Sequence, residues 1–439
     1  MKSGTLQYRV QPGGKVSGAI QVPGDKSISH RAIMLGAIAE GSTRISGFLE
    51  GEDALATIQA YRDMGVAIEG PNNGNVIVHG VGMHGLKTPM RAIDLGNSGT
   101  AMRLMAGILS AQSFDSTLIG DESLTARPMK RVTDPLAQMG AVIKTADGGR
   151  PPLNITGGQP LQGMAYTMPM ASAQVKSCLL LAGLYAEGTT SITEPGVTRD
   201  HTERMLRGFG YSVEKDDATV SVQGGGMLKA TDVAVPGDIS SAAFFMVAAA
   251  IAPGSDITLT KVGVNPTRIG ILSLLRLMGA DIGFANKHCS GGEDIADIRV
   301  RHCALNGIEI PRQQVPLAID EFPVLFIAAA VAEGRTILTG AEELRVKETD
   351  RIQVMADNLQ ALGVKAQATP DGMIIDGGEI QGGTVDSCGD HRIAMAFAVA
   401  GLIAKGPITI LNCNNVATSF PGFPAIASRA GISLEEKTS

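Results

Sequence analysis

The chain has 439 residues, 44% of them apolar and 18% charged, which is enough for two or three cores and too apolar for a disordered chain. A net charge of −6 excludes the broad positive field of a nucleic-acid binder, so an anionic ligand would need a local basic cluster. The 55 glycines and the absence of Trp point to tight turns and close backbone approaches rather than aromatic platforms for bases.

The opening MKSGTLQYRV carries neither the apolar stretch of a signal peptide nor the Arg- and Ser-rich flanks of a transit peptide. The longest apolar runs, Ala242–Pro253 and Phe322–Ala332, are too short to span a bilayer. A cytoplasmic protein with no membrane partner is expected. Five irregularly spaced cysteines fit reduced thiols. The pairs His288-Cys289 and His302-Cys303 are separated by a loop without the short paired spacings of a zinc site, so no metal is expected there.

In chain order, a strand at Leu6–Val10 precedes six copies of one unit. Each unit carries a helix-like segment that ends in Gly and runs into a strand: YRDMGVAIE, LAQMGAVIK, LRGFGYSVE, LRLMGADIG, LQALGVKAQ and ASRAGISLE. Their glycines are Gly65, Gly140, Gly210, Gly279, Gly363 and Gly431. In five units an Ala-rich helix upstream stops at another Gly, as in AIAEGSTRI, before a strand rich in Thr and Ile. The pattern reads as βαβαββ, an α/β (α+β) protein of six repeats in two domains of three. Breaks between units are placed at Gly148–Pro152, Gly157–Pro160 and Gly224–Gly226. The first strand is expected to pair within the carboxy-terminal domain.

The first helix of each unit opens on a polar cluster, in order GDKSISHR, GNSGTAMR, SAQVKS, GDISS, DEFP and GDHR. Second helices add LTARPMKR, VTRDHTE and RVKETDR. Helix starts present unpaired N–H groups and the positive end of the dipole, which suit phosphates and carboxylates. Lys26, Ser27, His30 and Arg31 occupy the first such turns, Gly99 the second, and Ser172 and Gln174 the third. Arg127 is expected just before a proline at a first helical position. Arg199 opens VTRDHTE, Asp320 leads an apolar helix, and Lys347 and Arg351 are expected to share a helix face with Glu348 beside them. Any one cluster also reads as a capped or salt-bridged surface helix. Their common place in a sixfold repeat is what marks them.

Taken together, VPGDKSISHRA, LGNSGTAMR, LTARPM, ASAQVKS, RVKETDR and GDHRIAMA, in this order over nearly the whole chain, resemble the EPSP synthase family. The resemblance implies the enolpyruvyl-transferase fold, with residues 1–24 and 237–439 in one domain, 25–236 in the other and the active site in the interdomain cleft. It implies transfer of the enolpyruvyl group of phosphoenolpyruvate to shikimate 3-phosphate by a monomer, with no cofactor and no metal. Lys26, Gly99, Arg127, Gln174, Arg351 and Arg392 would then bind phosphoenolpyruvate. Lys26, Ser27, Arg31, Ser172, Gln174, Arg199, Asp320 and Lys347 would bind shikimate 3-phosphate. Asp320 and Glu348 would move the protons, with Lys26 as a further participant.

Thr418, Leu104 and Glu343 depart from one subgroup of that family and resemble a second bacterial subgroup, some of whose members resist the inhibitor glyphosate. The sister family acting on UDP-N-acetylglucosamine commonly carries a loop Cys near the place of LTARPMKR and a Lys-Asn pair where this chain has Lys26-Ser27. A binding protein without catalysis on the same scaffold would have no use for both Asp320 and Glu348.

Overall fold

The computed structural model describes residues 5–290 and 292–438. They form six small sheets, five of four strands and one of three, each associated with one repeat. In the second repeat, Ile93–Asp94 runs parallel to Ser116–Ile119, which pairs antiparallel with Arg150–Thr156, itself antiparallel to Val142–Ala146. The third repeat copies this order with Ala165–Thr167, Thr189–Thr193, Thr219–Gln223 and Glu214–Asp216.

Three sheets are completed by strands from distant sequence. Val233–Ala234 supplies the outer parallel strand of the first repeat by pairing with Glu40–Ser46. Ser17–Ile20 does the same for the fourth, beside Asp256–Gly263. Leu6–Val10 lies between Ile408–Leu411 and Leu434–Thr438 of the sixth, antiparallel to both, with Tyr8 opposite Ile410 and Glu436. In the fifth repeat isolated bridges at Asn306 and Glu309 stand where the outer strand would be.

The described residues divide into two compact bodies. The N-body comprises Gly24–Val235 and Cys289–Glu293; the C-body comprises the described parts of Met1–Pro23, Pro236–His288 and Asp294–Ser439. Each has its own apolar core. In each, the first helices of the three repeats pack against one another: Lys26–Ile38, Gly99–Leu109 and Ala173–Gly183 in the N-body, Ile239–Ile251, Phe322–Val331 and His391–Ala400 in the C-body. They are apolar nearly all round, as helices buried on every side must be.

The first N–H groups of a helix have no partner within it and need one elsewhere. Five of the six find one in the preceding side chain. Asp25 accepts from Ile28, Ser98 from Ala101, Ser172 from Val175, Asp238 from Ser240 and Asp390 from Arg392. The exception is Phe322–Val331, where Glu321 precedes the helix without capping it.

All six repeat glycines, Gly65 through Gly431, have φ between 79° and 112°, the left-handed geometry that ends a helix at low cost only for Gly. Of the five upstream glycines, Gly41, Gly188, Gly254 and Gly334 also have positive φ and Gly406 does not. Helix Lys26–Ile38 has already turned extended at Ala39, so Gly41 sits in the strand opposite Gly80. The stretch Gly148–Pro152 is not a break between units; it turns Val142–Ala146 into Arg150–Thr156 inside the second repeat, because two adjacent left-handed glycines make the hairpin. Among the described residues no helix is long and apolar enough to cross a membrane.

Candidate active site

In the N-body the starts of the three first helices are tied to one another through side chains. His30 on the first helix bonds Thr57 through Nδ1 at 2.7 Å and lies 3.4 Å from Ser98, the cap of the second, through Nε2. Arg31 reaches Ser177 on the third helix at 2.8 Å. Gln174 on the third helix donates to Thr100 on the second at 3.0 Å and accepts from Arg103 at 2.6 Å. The polar clusters of three repeats, some 70 residues apart in sequence, are thereby gathered at one end of the helix trio.

Lys26 pairs with the buried carboxylate of Asp53. His30 is enclosed, and burial pushes its pKa down to about 3, so it is a neutral hydrogen-bonding post rather than a cation. Arg127 is half-buried and donates to Asn97 at 2.9 Å and Ser123 at 3.1 Å. A Cβ on Gly99 would stand 2.9 Å from Arg103 and 3.4 Å from Arg127, so the missing side chain is what admits the two guanidinium groups beside that helix start. Pro128 is not at a first helical position: the helix begins at Lys130 behind Met129, which leaves Arg127 on the loop between Glu122–Thr125 and Lys130–Gln138.

Arg199 is half-buried just ahead of helix His201–Gly208, near enough to Arg31 to act on it as a like charge. That helix start is not the solvated end its sequence suggests. His201, Thr202 and Glu203 are all buried, His201 against Glu293 at 2.8 Å. Ser27 lies on the first turn beneath Arg31, which donates to its carbonyl at 3.0 Å.

In the C-body the corresponding gathering is ionic. Arg351 is fully enclosed and donates to Asp390 at 2.7 Å and to Glu348 at 2.6 Å, with Asp320 at 3.6 Å. Burial alone would lower its pKa, but Asp390, Glu348 and Asp320 together raise it, so the cation is secure. Asp320 also meets Lys347 at 3.4 Å, and Lys347 is held by Glu343 at 2.7 Å. Arg392 donates to the backbone carbonyl of Asp320 at 2.9 Å and lies 3.9 Å from the buried Glu321. Glu321 in turn accepts from Ser240 at the start of the fourth repeat's first helix.

Lys347 and Arg351 do not share a helix face. Helix Arg351–Ala361 begins only at Arg351, capped by Asp350, and Lys347 ends the short 3-10 turn Glu342–Val346. They meet at Asp320 nevertheless, on either side of the helix cap Asp350. Arg103 and Asp390 belong to this chemistry and are not singled out by the sequence, although each lies inside one of the polar clusters at the helix starts. Their one signal was a charge within an otherwise apolar or capping stretch.

The fold is that of the enolpyruvyl transferases. The structure superposes on the enolpyruvyl transferase NikO from Streptomyces tendae with a TM-score of 0.81 over 99% of this chain and 100% of that one, although only 17% of residues are identical. It superposes on the EPSP synthase from Acinetobacter baumannii with a TM-score of 0.91 at 59% identity, again over 99% and 100%. A model of the family "EPSP synthase (3-phosphoshikimate 1-carboxyvinyltransferase)" matches residues 10–426. The chain is 64% identical over 430 residues to the 3-phosphoshikimate 1-carboxyvinyltransferase of Nitrosococcus oceani, covering 98% of this chain and 97% of that one. It is 58% identical over 431 residues to that of Legionella pneumophila, covering 98% and 99%. The chain belongs to the EPSP synthase family.

Proposed function

We propose that the protein transfers the enolpyruvyl group of phosphoenolpyruvate to the 5-hydroxyl of shikimate 3-phosphate and releases phosphate, a step of the shikimate pathway. The observation that carries this reading is the meeting of two carboxylates, Asp320 and Glu348, on one buried cation, Arg351, within a member of this family. In this reading the enzyme is a cytoplasmic monomer working without metal or cofactor.

Both substrates carry a phosphate and a carboxylate, so bringing them together requires several cations. Lys26, Arg127, Arg351 and Arg392 take phosphoenolpyruvate, with Gly99 and Gln174 alongside. Lys26, Ser27, Arg31, Ser172, Gln174, Arg199, Asp320 and Lys347 take shikimate 3-phosphate. Asp320 accepts the proton of the attacking hydroxyl as its oxygen bonds C2 of phosphoenolpyruvate. Glu348 gives a proton to C3, and the tetrahedral intermediate forms. When the bond from C2 to the phosphate oxygen breaks, the phosphate leaves with the bonding pair and the proton held by Asp320, while Glu348 takes a proton back from C3 and the enol double bond returns.

The test is phosphate release by the purified protein given phosphoenolpyruvate with shikimate 3-phosphate or with UDP-N-acetylglucosamine. Release with the shikimate ester alone is expected. Release with the nucleotide sugar alone would move the activity to the sister family, and no release with either would leave a binding scaffold.

A further inference from the structure

Arg31 is an unusual cation. It exposes only 4% of its surface, yet all its hydrogen bonds go to uncharged oxygens. Nε donates to Thr202 Oγ1 at 2.7 Å, one terminal nitrogen to the Ser27 carbonyl at 3.0 Å and the other to Ser177 Oγ at 2.8 Å. Among the described residues no carboxylate lies within ion-pair distance of it. A guanidinium has five N–H groups, and these bonds use three. Burial lowers its pKa to about 10; the fields of Glu203, Asp25 and Glu293 resist that fall, and the like charge of Arg199 adds to it. A buried charge without a direct counter-charge is costly unless an anion completes it.

The groups that aim it come from another repeat. Thr202 lies on helix His201–Gly208 and Ser177 on helix Ala173–Gly183, and Thr202 itself donates to Ser177 at 2.8 Å. The three side chains close a triangle in which the Thr202 hydroxyl accepts from Arg31 and donates to Ser177. A neighbouring residue on each helix locks the same crossing. Lys176, fully buried, pairs with Glu203 at 2.6 Å and with Glu194. Glu194 is held in turn by Thr198, which donates from backbone and hydroxyl at 2.9 and 2.7 Å. Four charged or hydroxyl side chains therefore fix where Thr202 stands, and the segment they clamp carries Arg199 at its start.

We infer that Thr202 is a positioning residue: backed by the Lys176–Glu203 pair, it aims the buried Arg31 at the phosphorylated acceptor. This rests on the reading of Arg31 as a ligand of shikimate 3-phosphate. Valine has nearly the shape of threonine but no hydroxyl, so Thr202→Val leaves the packing and frees Nε from its guide. Thr202→Ser keeps the acceptor.

The experiment measures KM for both substrates, kcat and Tm in Thr202→Val, Thr202→Ser and Arg31→Ala. Expected for Thr202→Val is a rise of roughly tenfold in KM for shikimate 3-phosphate, on the scale of one lost hydrogen bond to a charged group. KM for phosphoenolpyruvate and kcat should move by less than about threefold, and Thr202→Ser should stay within about twofold of the parent. Should Thr202→Val bind the acceptor as the parent does while Arg31→Ala loses it, the positioning role is overturned and the ligand role of Arg31 stands. Equal weakening in the Val and Ser variants would overturn it too, since packing rather than the hydroxyl would be at work. If Arg31→Ala itself leaves that KM unchanged, the reading of Arg31 falls and the inference falls with it.

Discussion

Arg351 donates from Nε to Asp390 Oδ2 at 2.7 Å, and neither side chain exposes more than 1% of its surface. The same Asp390 caps helix His391–Ala400 through the Arg392 N–H at 2.8 Å. One carboxylate thus neutralises a buried cation and closes a buried helix end. Removing it strands both. Asp390→Ala should destabilise the protein by about 3–5 kcal/mol, the range for breaking one side of a buried pair. Denaturant unfolding measures this, and a loss below about 1 kcal/mol would show that the pair is not what stabilises this corner.

Asp320 and Glu348 differ from Asp390 because each retains some exposure, 14% and 31%. Asp320→Asn and Glu348→Gln keep shape and remove the carboxylate's ability to carry a proton. Each should lower kcat by about 10²–10⁴-fold, the usual share of general acid–base catalysis. Binding of phosphoenolpyruvate should not weaken for Asp320→Asn, because Lys347 and Arg351 lose a competing anion at 3.4 and 3.6 Å. A KM for phosphoenolpyruvate that rises while kcat holds would assign Asp320 to binding instead.

The repeat was legible because its marker is local. Each glycine from Gly65 to Gly431 must be left-handed where its helix turns into a strand, and no neighbour can supply that in its place. The sixfold order of polar helix starts was legible for the same reason, since five of those starts are side-chain caps acting within a few residues. What escaped depends on distance. The strands Ser17–Ile20 and Val233–Ala234 are only four and two residues long and complete sheets more than 180 residues away in sequence. Lys176 lies within SAQVKS with nothing nearby in sequence to mark it, and only the fold brings it Glu194 and Glu203. The expected helix face of Lys347 and Arg351 failed because Asp350 caps the helix after Lys347. A charge pattern at spacing four is compatible with either side of a cap.

Two glycines on one helix separate function from folding. Gly99 opens helix Gly99–Leu109, and an added Cβ would meet the ends of Arg103 and Arg127, which are long and can move. Gly107 is in the same helix, but a Cβ there would stand 2.2 Å from the backbone oxygen of Cys178, which cannot. Gly99→Ala should therefore change stability by less than about 1 kcal/mol and raise KM for phosphoenolpyruvate several-fold by displacing Arg127. Gly107→Ala should cost about 1–3 kcal/mol by pushing helix Gly99–Leu109 from helix Ala173–Gly183. Melting curves and substrate titrations on both variants check the contrast; a Gly99→Ala enzyme with unchanged KM would remove Arg127 from the phosphoenolpyruvate site.

His30 makes the stability of the N-body depend on pH. Burial lowers its pKa from the ordinary 6.5 to about 3, with Asp53 opposing and Lys26 and Arg31 reinforcing the shift. Between those values the unfolded chain binds a proton that the folded one does not, so the unfolded state gains as pH falls. The contribution is whole above pH 6.5 and is lost progressively from there towards pH 3. Its greatest slope is one proton's worth, about 1.4 kcal/mol per pH unit. His30→Gln keeps groups able to bond Thr57 and Ser98 but does not titrate. Unfolding free energies at pH 7, 5.5 and 4.5 (about half-unit spacing would refine them) should therefore decline less steeply in His30→Gln than in the parent. Parallel declines would mean that His30 takes up its proton in the folded protein, and that Asp53 rather than burial governs its charge.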